Sequence, residues 1–205
     1  MTSVLIRDAV SLIVLRRGTS APEVLMGERS ARHSFVPGRL VFPGGAVDPE
    51  DADAPAAAEP TPATAAMLGR AASPALARAI AVAAARELQE ETGLTLGAPP
   101  DLAGLRYLCR AVTPTASPVR FNARFLVVDA RRVRGTLAGS GELEGLRWIA
   151  LPDAAALDMM LVTREVLLQL AAWIALPERD AARRTRVFDE RAWHDEADRI
   201  PDLRA

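Results

Sequence analysis

The chain has no lysine: all 25 of its basic residues are arginine. With the abundance of alanine and proline, that skew reflects genome base composition and carries no mechanistic content. Cysteine is nearly absent too. Cys109 stands alone, so an intrachain disulfide and a zinc-thiolate cluster are both excluded, and a reducing compartment fits. An excess of charge of either sign is also missing, with 25 basic against 26 acidic residues. No global field draws the protein to nucleic acid or to an anionic membrane surface, and neither is expected as a partner. No apolar run approaches the roughly 20 residues that span a bilayer. The opening segment MTSVLIRDAVSLIVLRRG lacks a basic region before its apolar run and a small-residue cleavage site after it, so it reads as a strand. A soluble, cytoplasmic protein is the expectation.

What is present is enough for one core. At 205 residues, half of them hydrophobic, the chain suits a single domain over 1–176 with a polar tail over 177–205. AVSLIVL (9–15) and EVLMGER (23–29) read as neighbouring strands. A short strand centred on Val41 lies between Pro37-Gly38 and Pro43-Gly44-Gly45. Residues 52–72 are mostly Ala, Pro and Thr, too poor in large apolar side chains to supply a core. They read as an insertion with a short helical piece near 63–68. Ser73-Pro74 and Gly93 mark the ends of a helix of about eighteen residues. Strands follow at 105–111, 121–129 and 146–151. An amphipathic helix is expected over 152–176 with Leu157, Leu161, Leu168 and Ala172 on one side, and the tail is expected either to carry one short helix around 188–193 or to be loose. Strands interleaved with two long helices predict a mixed sheet covered on its faces.

Within the first long helix, ARELQEETGL concentrates charge. At 100° per residue, Glu87, Glu90 and Glu91 span about a third of the circumference and repel one another. The last turn, at the negative end of the helix dipole, makes them less welcome still. Arg86 relieves part of this through its i, i+4 relation to Glu90, but one guanidinium cannot satisfy three carboxylates. A hard divalent cation such as Mg2+ or Mn2+ can, since it takes oxygen ligands and substrate phosphate together. A solvated acidic helix end is the competing reading.

The surrounding residues bear on that choice. Arg86, Glu87, Leu88, Glu90, Glu91, Gly93 and Leu94, with FPGGAVDPED upstream, resemble the Nudix hydrolase family, whose box reads G-x5-E-x7-R-E-U-x-E-E-x-G-U, U being bulky and aliphatic. Gly45 and, after five intervening residues, Asp51 match the first half with aspartate in place of glutamate. The spacing then departs: 34 residues in place of seven separate Asp51 from Arg86, an excess that coincides with the Ala/Pro-rich segment. An interrupted box, FVPGRLVFPGG before it and Thr113-Pro114 with Arg120-Phe121 after it are similar to the coenzyme A diphosphatase-like subset.

The resemblance implies an α/β/α sandwich with a mixed β-sheet, an insertion and a C-terminal extension. It further implies metal-dependent hydrolysis of a diphosphate linkage in a nucleoside diphosphate derivative, coenzyme A or acyl-coenzyme A among the candidates. By position, Glu90 and Glu91 are the principal metal ligands, Glu87 a further ligand, and the Gly45 carbonyl a main-chain one. Arg86 orients the carboxylates, and Asp51 fixes a loop. Glu142 and Glu144 are candidates for the general base, Glu142 the preferred one. Arg29, Arg39 and Arg120 are candidate phosphate ligands, and Phe35 a candidate base-stacking residue. His33 and His194 read as surface residues. The tryptophans read as core or interface, and the C-terminal part leaves room for a homodimer. A catalytically silent nucleotide-sensing module of the same fold, and a plain interaction domain, are the alternatives.

Overall fold

In a computed structural model, residues 4–30, 38–154, 156–177 and 185–195 are described. The chain begins with β1 (Ile6–Arg17) and β2 (Pro22–Arg29), followed by the short β3 (Leu40–Val41) and β4 (Gly44–Ala46). Helices α1 (Pro62–Leu68) and α2 (Pro74–Thr92) lead to β5 (Leu94–Thr95), β6 (Arg106–Val112), β7 (Arg120–Asp129), β8 (Arg134–Gly135) and β9 (Leu143–Ala150). Then come α3 (Leu151–Ala154), α4 (Leu161–Ile174), β10 (Arg186–Asp189) and β11 (Ala192–Asp195).

β1 is apolar without alternation because both its faces are covered. Val10, Leu12 and Val14 enter one core with Ile80, Ala84 and Leu88 of α2. Ile13 enters the other with Val166, Leu167 and Leu170 of α4. Each such fully buried aliphatic side chain contributes roughly 1.5–3 kcal/mol. The sheet runs β11-β10-β6-β7-β1-β2-β3, with β4 also on β1 and β9 also on β2. β1–β7 and β10–β6 are parallel and the other pairs antiparallel, so the sheet is mixed and the α/β/α sandwich holds. β5 and β8 form a separate pair.

α2 has the ends expected of it. The Ser73 side chain accepts from the Leu76 N–H at 3.2 Å, Pro74 follows, and Gly93 closes the helix at φ 71° with its N–H on the Gln89 carbonyl. Its alanine-rich inner face lets the helix axis approach the sheet closely, which brings Glu87 and Glu91 down against the β4 backbone.

Three expectations are corrected. Residues 52–72 do supply core: α1 stands where a helical piece was expected, but Met67 and Leu68 are buried with the α2 cluster, and the Thr64 hydroxyl donates to the Leu105 carbonyl at 2.8 Å. The helix over 152–176 is two helices. Between α3 and α4 the chain leaves helical geometry and seats the buried Met159 in a bridge with Leu40. The inner stripe of α4 is Thr163, Val166, Leu167 and Leu170, leaving Leu161 and Leu168 44 % and 52 % exposed. Residues 188–193 form no helix. β10 and β11 are a hairpin, turned at Glu190 and Arg191 with φ 45° and 68°, and pairing with β6 buries Val187 and Phe188. Tertiary pairing overrides local propensity there.

Candidate active site

The site grows from the join between β4 and α2. Gly44 and Gly45 pair with Ser11 and Val10 of β1. A Cβ at Gly44 would lie 2.2 Å from the Val10 carbonyl, and one at Gly45 would lie 2.3 Å from the Glu87 Oε1. Only glycine lets main chain and carboxylate come so close. The Gly44 N–H donates to Glu91 Oε2 at 2.7 Å, which ties the helix end to the glycine strand.

Arg86 is the hub. Its Nε and Nη2 donate to the two Asp51 oxygens at 2.9 and 3.0 Å, its Nη1 to Glu87 at 2.8 Å and Glu90 at 3.0 Å, and Nη2 also to the Ala46 carbonyl at 3.0 Å. Asp48 lies 3.4 Å away. The Asp51 hydrogen bonds, with the fields of Glu87 and Asp51, hold the guanidinium more firmly charged than usual despite partial burial. Asp51, itself buried, accepts from the Asp48 N–H at 2.8 Å and closes a capping box over Pro49–Ala52. These bonds tie the Asp51 loop to Arg86 and Arg86 to Glu87 and Glu90. Arg78 secures the segment that follows, donating to Glu59 and to the carbonyls of Ala52 and Ala54.

The carboxyls are unequal. Glu90 is exposed, whereas Glu87 and Glu91 are buried. Burial pushes the Glu91 carboxyl up to about 8, opposed by its bond from Gly44 and by Arg29, and reinforced by Glu87 and Glu142. Glu87 is raised for the same first reason, lowered in part by Arg86 and raised again by Glu90 and Glu142. Glu142 and Arg29 therefore reach the cluster electrostatically although they are remote in sequence. The route is β9 on β2: Arg29 pairs with Leu143, and the Ser30 N–H donates to the Glu142 carbonyl at 2.9 Å. Glu144 instead stands opposite Glu28.

The other candidates are dispersed. Arg39 exchanges main-chain contact with Arg29 but turns its side chain to Asp158. Arg120, at the start of β7, donates to the Thr113 carbonyl at 3.3 Å. Phe35 and His33 lie outside the described residues. Among the described residues no three His, Cys, Asp or Glu side chains stand together closely enough to hold an ion as they are. The cause is local: Arg86 draws Glu87 and Glu90 toward itself, and Gly44 draws Glu91. Sequence reasoning missed Asp48, although Asp-Pro-Glu-Asp carries the capping-box signal that places it. Among the described residues no helix is long and apolar enough to cross a membrane.

Residues 77–170 match the model of the NUDIX domain, a range that opens inside α2 and leaves the Gly44–Gly45 strand upstream of it. No curated protein matches the chain. Among solved structures, a NUDIX hydrolase from Alicyclobacillus acidocaldarius is 27 % identical, with 90 % of this chain and 98 % of that one aligned and a TM-score of 0.66. A MutT NUDIX hydrolase from Burkholderia pseudomallei is 22 % identical over 80 % and 97 % of the chains, TM-score 0.53. The NUDIX domain of Shewanella oneidensis NrtR, complexed with ADP ribose, is 15 % identical over 85 % and 91 %, TM-score 0.52. The last two share the fold alone. Residues 77–170 thus carry a NUDIX domain by that match, and the chain is an enzyme similar to the Nudix hydrolases.

Proposed function

We propose that the enzyme hydrolyses a diphosphate linkage in a nucleoside diphosphate derivative with the help of Mg2+ or Mn2+, Glu90 and Glu91 being the principal ligands, Glu87 a further one and the Gly45 carbonyl a main-chain one. The observation that carries this reading is the burial of Glu87 and Glu91 against the glycine strand, two carboxyls whose burial disfavours their ionised form and whose charge a hard cation would balance. The donor set is all oxygen, which suits a hard divalent ion, although gathering the glutamates around one requires rearrangement within the cluster. When bound, the ion neutralises diphosphate oxygens and acidifies a water.

The chain's own residues do the rest. Arg86 and Asp51 hold the α2 end in register with the glycine strand, and Arg29 supplies a guanidinium for a phosphate oxygen. Arg39 and Arg120 extend that role if substrate draws them from Asp158 and Thr113. Glu142 takes the proton of the attacking water, a role supported by its electrostatic reach to Glu87 and Glu91. Coenzyme A or an acyl derivative is the proposed substrate, on the likeness to the diphosphatase subset with a box interrupted by 52–72. A cytoplasmic location and a homodimer belong to the same proposal.

The test is incubation of the purified protein with dinucleotides, sugar nucleotides, ADP-ribose and coenzyme A. Metal-dependent release of a monophosphate is expected. Tight nucleotide binding without hydrolysis of any of them would favour a silent sensing module.

A further inference from the structure

At the end of the sheet away from the glutamates, a cleft of about 580 Å³ opens between the β1–β2 turn, the C-terminal end of β7 and the last turn of α4. Val10, opposite Gly45, and Arg17, on the cleft, are seven residues apart on β1, roughly 23 Å at about 3.3 Å per residue. The two sites share no residue. The cleft has the size of a small-molecule site.

Its lining combines two chemistries. Arg17, Arg106 and Arg131 line it beside one carboxylate, Asp129, in a chain whose net charge is -1, while Arg16 on its rim directs its guanidinium to Glu23 and the face of Trp148, neither of which lines the cleft. Arg131 is engaged with Asp129, whose carboxyl it holds below the usual range, Arg17 contributing to the same field. The remaining wall is apolar, with Trp173 foremost. The negative end of α4 favours cations nearby and would account for one or two arginines. It does not call for a recess between them walled by an aromatic ring.

We propose that this cleft is a second ligand site, for a phosphomonoester bearing a flat or aliphatic apolar body. Such an ester carries a charge of about -1.5 to -2 near neutral pH, which suits guanidinium forks outnumbering carboxylates, while its body covers Trp173. The proposal does not depend on the reading of the glutamate cluster.

Isothermal titration in EDTA, which removes metal-assisted phosphate binding at the glutamates, tests it with adenosine monophosphate, adenosine and inorganic phosphate as probes. The monophosphate is expected to bind more tightly than either fragment. Arg17→Glu with Arg131→Glu, both exposed, should weaken it about tenfold or more, and Glu91→Gln should leave it within about twofold. Arg17→Glu alone serves if the double variant fails to fold. No binding up to about 10 mM, affinity unchanged in the Arg17 variants, or affinity that follows Glu91→Gln would each overturn the proposal.

Discussion

Arg86 and Asp51, 35 positions apart, meet through two parallel hydrogen bonds, Nε to Oδ1 at 2.9 Å and Nη2 to Oδ2 at 3.0 Å. The bond joins a loop to the helix bearing the glutamates, across the whole Ala/Pro-rich segment. Arg86→Ala strands a buried Asp51 and releases Glu87 and Glu90 to repel each other, so a loss of about 3 kcal/mol is expected. Asp51→Asn keeps the shape and one acceptor and should cost about 1–2 kcal/mol. Urea denaturation measures both. Equal stability of Arg86→Ala and the parent would remove the hub role.

Gly45→Ala probes the approach of main chain to carboxylate. Its added carbon would stand 2.3 Å from Glu87 Oε1, and Glu87 is held by Arg86, so strand or helix must move. A destabilisation of about 1–3 kcal/mol is expected, with loss of turnover. Thermal melting and an activity assay check it, and an unperturbed melting curve would contradict the packing argument.

Glu90→Gln should leave the fold intact, because Glu90 is exposed and Arg86 keeps three other partners, Asp51, Glu87 and Ala46, yet lower turnover by about two orders of magnitude or more. Wild-type turnover would refute its assignment as a metal ligand. The same assay on Glu142→Gln addresses the general base. A drop in turnover with the acidic limb of the pH profile removed supports that role, and an unaltered profile points to another group.

How much of this was legible in the sequence depended on whether a local rule or a distant partner decided the structure. Ser73-Pro74 and Gly93 announce the ends of α2 because capping is settled within a few residues. Glu87, Glu90 and Glu91 announce their common face for the same reason. The stripe expected of α4 lies on the wrong face, since apolar residues occur on several of its faces and only the sheet selects Val166 and Leu170. The pull of β6 on Val187 and Phe188, and of Leu40 on Met159, has no local signal at all. Met67 and Leu68 were hidden among alanines, yet two well-placed side chains suffice to bind that segment to the core. Within the site, Arg29 and Glu142 reach the cluster only through the β2–β9 pairing, a long-range fact.

The raised carboxyls make stability pH-dependent in a direction opposite to that of a salt-bridged acid. Glu91, pushed up to about 8, and Glu87, also raised, hold protons more tightly folded than unfolded, where a glutamate titrates near ~4.3. Between those values the native state binds the extra protons, so their contribution is full at low pH and is lost as pH rises through the folded pKa. Metal-free protein should therefore melt at a lower temperature at about pH 8.5 than at about pH 6, and Glu91→Gln should flatten the slope. Millimolar Mg2+ should raise the melting temperature most at the alkaline end, where the ion no longer competes with protons for the glutamates. A melting temperature that rises with pH in EDTA, or an Mg2+ effect independent of pH, would mean that the buried glutamates are not the groups that call for the cation.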